Sequence, residues 1–204
     1  SLVGSEMCIR DRFVLQCARR RVDDLDLLAV SAGPGSFTGV RIGISCVKGL
    51  AFPKNIPCCG VSVLQAMAEN LAHMDAVVCA VMDARCRQVY QAFFRVKNGE
   101  VTRLCEDRAI TLTQLREDLE KRGGSFVLVG DGANLCMQAP ELAGLSLQLA
   151  PEPLRMQRAS GVALAATKAV KEGKTVSAEE LLPVYLRLPQ AQRELKKRME
   201  GATS

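Results

Sequence analysis

A single histidine, His73, occurs in 204 residues, and that scarcity removes whole classes of chemistry. A zinc-type site wants clustered cysteine and histidine pairs, and no second imidazole exists. A Cys–His nucleophile would have to use His73, which has no obvious orienting partner. No G-x-S-x-G elbow, no G-x-x-x-x-G-K-[ST] loop and no G-x-G-x-x-G turn is present. No apolar stretch approaches the ~20 residues of a membrane-spanning helix. Nine cysteines occur, an odd number, without one C-x-x-C pair. Most sit in apolar runs, as Cys46, Cys79 and Cys136 do, so they read as buried reduced thiols of a cytoplasmic protein. The net charge of +5 is mild; it permits contact with RNA without arguing for it.

What is present centres on residues 26–51. Asp26-Leu27-Leu28-Ala29-Val30 reads as a buried strand running into Ser31-Ala32-Gly33-Pro34-Gly35. Gly33 and Gly35 permit a tight turn, and Ser36 or Thr38 can cap the helix that follows. That helix, 37–51, carries only Arg41 and Lys48 as charges, seven apart and on one face. A surface helix shows one wet face; this one needs burial on two sides. Gly35, Gly39 and Gly43 form a smooth stripe that admits another helix. Two readings stay open here: a phosphate cradle at a helix N-terminus, or a strand-turn-helix joint with close packing.

Along the rest of the chain, 13–22 predicts a helix with Arg19, Arg20 and Arg21 at its end, either a solvated face or a contact for an acidic partner or for tRNA. A strand at 57–61 and a helix at 63–72 follow, with His73 at its end reading as exposed or hydrogen-bonded rather than catalytic. Strands at 76–82, 87–95 and 100–105 are joined at Asn98-Gly99 by a hairpin turn. Helix 112–122 turns Leu112, Leu115 and Leu119 inward. Strand 125–129 leads into Gly130-Asp131-Gly132-Ala133-Asn134 and a short helix. A strand near 145–149 and a helix at 160–172 complete a β-β-β-α-β-α-β-α order.

The string Leu28-Ala29-Val30-Ser31-Ala32-Gly33-Pro34-Gly35-Ser36-Phe37-Thr38-Gly39-Val40-Arg41-Ile42-Gly43 resembles the signature of the TsaB (YeaZ) family. Lys48-Gly49-Leu50-Ala51, Ile56-Pro57, Gly60-Val61-Ser62, Met82-Asp83-Ala84-Arg85, Val89-Tyr90, Gly130-Asp131-Gly132-Ala133 and Pro183-Val184-Tyr185-Leu186-Arg187 continue it in order.

The resemblance implies an α/β fold of the actin-like ATPase (ASKHA) type, with two βββαβα lobes and no working nucleotide site. It divides the chain into a partial first lobe at 13–74, a second lobe at 75–173, and a segment at 174–204 that returns to the first lobe and ends in a charged tail. Residues 1–12 read as a non-native leader. The family's N-terminal strands are not recognisable, so the sequence reads as N-terminally truncated. The strand at 26–30 would then lack a neighbour, which predicts a marginal or aggregation-prone chain.

The implied role is a non-catalytic scaffold of the complex that places threonylcarbamoyl on the adenosine beside the anticodon, position 37, of tRNAs reading codons that begin with A. Its partners would be the catalytic subunit TsaD, as a heterodimer, and the ATPase TsaE, with a homodimer as a further state. tRNA would be met through the complex, and no membrane is involved. The expected partner-binding helix face comprises Gly35, Phe37, Gly39, Val40, Arg41, Gly43, Cys46 and Val47. The positions of a vestigial nucleotide site are Asp83, Arg85, Gly130, Asp131 and Gly132. At the first of these an aspartate capping the turn and pairing with Arg85 is the better reading, and Asp131 would repel a phosphate. No catalytic residue, metal or cofactor is expected. The alternative is a small-molecule kinase or ATPase of the same superfamily.

Overall fold

The computed structural model describes residues 2–187, with side chains from Arg10 onward. Helix α1, Leu2–Cys17, begins eleven residues before the expected start, within the segment read as a leader, and stops five residues short of the expected end. The Arg20 N–H turns back to the Leu15 carbonyl, the Arg19 N–H to that of Gln16, and Arg19 takes a φ of 53°. This is the Schellman arrangement with arginine where glycine is usual, so the sequence carried no stop signal. Arg19, Arg20 and Arg21 lie beyond the helix, and Val22–Asp24 forms a 3-10 turn.

Strand β1, Leu28–Gly33, is parallel to β2, Cys58–Ser62, with Leu28 opposite Cys58. Helix α2, Phe37–Ala51, connects them, and Ser36 is its cap, accepting the Gly39 N–H at 3.3 Å. Helix α3, Val63–Glu69, is capped by Ser62 and is shorter than expected; residues 70–74 are turn and bend. His73 is exposed.

The larger sheet is built from β3 (Ala76–Asp83), β4 (Gln88–Lys97), β5 (Glu100–Arg103), β6 (Arg108–Thr111), β7 (Phe126–Val129) and β8 (Leu147–Leu149). Its order is β5-β4-β3-β7-β8, with β6 also on β4. Asn98 and Gly99 both take positive φ, 53° and 79°, the two-residue hairpin that matches strand twist. The strand expected over 100–105 ends at Arg103, and β6, which the sequence reading did not include, follows it. The Phe93 N–H goes to the Cys105 thiol at 3.2 Å, and the chain re-pairs with β4 only from Arg108.

Helices α4 (Leu112–Arg122), α5 (Ala133–Gln138) and α6 (Ala159–Lys171) complete the described fold. Leu112, Leu115 and Leu119 are buried as their spacing requires. One face of the larger sheet packs on α3 and the other on α4 and α5. The small β1–β2 sheet packs on α2 with one face and on α6 with the other. Among the described residues β2 is the sole strand partner of β1. Beside β1 lies a trough of about 830 Å³ between α2 and α6, walled by Gly35, Gly39, Gly43, Val162 and Ala163.

Candidate functional site

Two constellations emerge. The first is α2 with the C-terminal segment laid along it. Val176 bridges to Cys58, Lys48 Nζ donates to the Glu179 carbonyl at 3.0 Å, and Leu181 is buried in the small lobe. The Val184 N–H reaches the Ala32 carbonyl at 2.7 Å. Tyr185 then stacks on Phe37 with centroids 4.6 Å apart. The Arg41 guanidinium lies 4.1 Å over the Phe37 ring, and its Nε donates to the Tyr185 hydroxyl at 2.9 Å. Gly33 makes this docking possible: its φ is 128°, and a Cβ there would stand 2.3 Å from the Val184 carbonyl oxygen.

This arrangement sorts the expected partner face. Val40 and Val47 turn into the lobe's own core beside Ile44 and Ala51. Phe37 and Arg41 are engaged by Tyr185. Gly35, Gly39 and Gly43 line the trough, and a Cβ on Gly43 would touch Val30 at 3.4 Å. Cys46 is half-buried. At 100° per residue, the arc left between the C-terminal segment and the glycine stripe holds Thr38, Ile42, Ser45 and Gly49, with Phe52 just beyond the helix. Thr38, Ser45, Gly49 and Phe52 are exposed, Phe52 at 66%, and none of the five is charged. Residue spacing alone missed this arc. Its signal was the run of uncharged residues at 38, 42, 45, 49 and 52.

The second constellation joins the β3–β4 turn to the turn after β7. The Asp83 N–H donates to Asp131 Oδ1 at 3.3 Å, and the Gly132 N–H to the Val81 carbonyl at 3.2 Å. Asp83, Arg85, Gly130, Asp131 and Gly132 therefore share one place. Asp83 does cap the turn, but through the Arg85 backbone N–H at 2.7 Å. The carboxylate pair is made instead by Arg87, which grips Glu141 with a forked guanidinium and holds that carboxyl below its usual range. Arg85, Cys86 and Arg87 are all left-handed, with φ of 62°, 56° and 55°. Arg187 from the C-terminal segment donates to the Ala84 carbonyl. The hydrogen bonds of the turn are thus made within the protein, and the Asp83 and Asp131 carboxyls lie near enough to act on each other.

Desolvation pushes the Asp131 carboxyl above its ordinary range; the N–H groups of Asp83 and Gly132 oppose this, and the Asp83 carboxylate adds to it. The folded state then binds the Asp131 proton more tightly than the unfolded one. This carboxyl's contribution to stability declines as pH rises from the unfolded value through the raised folded value. Asp131→Asn should flatten that part of the stability–pH profile, measured by urea melts across the acidic range. An unchanged profile would contradict the assignment. Burial likewise raises the thiols: Cys79 lies well above its usual value, and Cys136 is pushed up to about 12. Neither is a nucleophile.

Compared with known proteins, residues 12–195 match the family model of the tRNA N6-adenosine threonylcarbamoyltransferase TsaD. The tRNA threonylcarbamoyladenosine biosynthesis protein TsaB of Bacillus subtilis is 32% identical over 176 residues, 83% of this chain and 72% of that protein. TsaB of Escherichia coli is 33% identical over 177 residues, 85% and 76% of the two chains. The solved structure of YeaZ from Pseudomonas aeruginosa superposes with a TM-score of 0.76 at 28% identity, covering 90% of this chain and 84% of that one. The tRNA N6-adenosine threonylcarbamoyltransferase of Roseobacter denitrificans shares 40% identity over 63 residues, 31% of this chain and 17% of that protein.

Proposed function

The chain belongs to the TsaB family and has its actin-like α/β fold, and we propose that it acts in tRNA threonylcarbamoyladenosine biosynthesis as a non-catalytic scaffold. In this reading it binds a TsaD-type transferase as a heterodimer, works with TsaE in the cytoplasm, and meets tRNA through the complex. The modified base is the adenosine at position 37 of tRNAs reading codons that begin with A. The observation that carries the reading is the uncharged outer arc of α2, Thr38, Ile42, Ser45 and Gly49, continued by the exposed Phe52. Thr38, Ser45 and Gly49 are small and let a partner helix approach closely, and Ile42 and Phe52 supply the apolar contact. Apolar burial supplies the attraction, at ~25 cal/mol per Å² before association costs. The neighbouring carboxyls of Asp83 and Asp131, which would repel a phosphate, support a role in binding over one in phosphate chemistry.

The test mixes the protein with its cognate TsaD-type transferase, with and without ATP, and reads complex mass by size exclusion with light scattering. Ser45→Arg and Gly49→Arg should each weaken the complex by about 30-fold or more, as a charge in the centre of an apolar contact does. Gly49 has open space around it, so its variant leaves the lobe intact. Wild-type affinity in both variants would overturn the docking face. Tight ATP binding by the protein alone would favour a kinase or ATPase instead.

A further inference from the structure

The two sheets are joined by helices that cross over. Helix α3 follows β2 of the small sheet yet packs on the larger one, whereas α6 follows β8 of the larger sheet and packs on β1 and β2. The helices, with the residues that flank them, meet at three levels. A Cβ on Gly161 would lie 2.1 Å from the Ala66 carbonyl oxygen, so the backbones touch. Asn70 Nδ2 donates to the carbonyls of Leu154 at 3.3 Å and Met156 at 2.9 Å. Lys168 Nζ donates to both oxygens of Glu69, at 2.9 and 2.8 Å, and the Glu69 side chain is 1% exposed.

We propose that the Glu69–Lys168 pair is a latch that fixes the angle between the two lobes. The Gly161–Ala66 contact sets how closely α3 and α6 approach, and the small side chains around it hold the helices' position along each other less tightly. A buried carboxylate is not tolerant of sliding: moving it off the ammonium leaves a charge without solvent or partner. A lobe rotation that slides α6 along α3 must break this pair together with the Asn70 bonds, and only the pair leaves a buried charge behind. The pair therefore converts a slippery helix contact into one position, which makes it a positioning device for the whole chain. The proposal stands independently of the docking reading.

The test uses the full chain with genetically encoded spin labels at the exposed positions Ser45 on α2 and Lys121 on α4. The wild type should give one narrow distance distribution. Lys168→Met should give one roughly twofold broader or split. The double variant Glu69→Gln, Lys168→Met removes the orphaned charge and should recover melting temperature while the distribution stays broad. A narrow distribution in Lys168→Met overturns the proposal. So does a double variant that recovers both properties together, because the pair would then contribute stability alone.

Discussion

Gly161→Ala is expected to lower the melting temperature by about 10 °C, the equivalent of roughly 3 kcal/mol for a chain of this size. In an exposed helix the same change stabilises, since alanine is the better helix former by about 1 kcal/mol. Here the sign reverses. The added methyl would stand 2.1 Å from the Ala66 carbonyl oxygen and 2.9 Å from Asn70 Oδ1, and neither the carbonyl nor its helix can step aside. To admit the methyl, α6 must move off α3, which strains the Asn70 bonds and the Glu69–Lys168 pair together. A thermal melt followed by circular dichroism decides the matter. An unchanged or raised midpoint would mean that the two helices are not in backbone contact.

Gly130→Ala should cost as much or more, about 3–5 kcal/mol, by summing a strained φ with a backbone clash. Gly130 has a φ of 110°, and a Cβ would fall 2.0 Å from the Val81 carbonyl oxygen and 3.0 Å from the Met67 methyl. The loss is expected with no ligand added. That is the point of the experiment: in this position the glycine serves the close approach of the turn after β7 to β3, with no need of a phosphate. Loss of a nucleotide response with full stability retained would reverse this reading.

Elements whose limits are set by neighbouring residues were legible. Helix α2 runs over 37–51 as read, because Ser36 and Pro53 bracket it locally. Helix α4 runs over 112–122, where Thr111 and Gln114 form a capping box and Gly123 ends it. The misses share a cause in residues far away or of the wrong type. Arg19 ends α1 in a conformation that arginine does not advertise. The break between β5 and β6 depends on Cys105 meeting Phe93, twelve residues off, and on Asp107 receiving Ser62, 45 residues off, at 2.6 Å. The Lys168–Glu69 pair joins positions 99 apart, and nothing in either neighbourhood announces the other.

The amino-acid sequence by itself determined the locally bracketed elements, the family resemblance and the poverty of catalytic groups, since caps, turn glycines, apolar spacing and a single histidine are all local properties. The tertiary structure alone decided which side of α2 is free. Val40 and Val47 are as apolar as Ile42, and a helix with two charges carries too little contrast for periodicity to separate core from surface. That choice was made when the β1–β2 sheet covered one side and the C-terminal segment, pinned by Lys48, Ala32 and the Phe37–Tyr185 stack, covered another. Among the described residues, neither the small sheet nor the C-terminal segment covers the arc that remained.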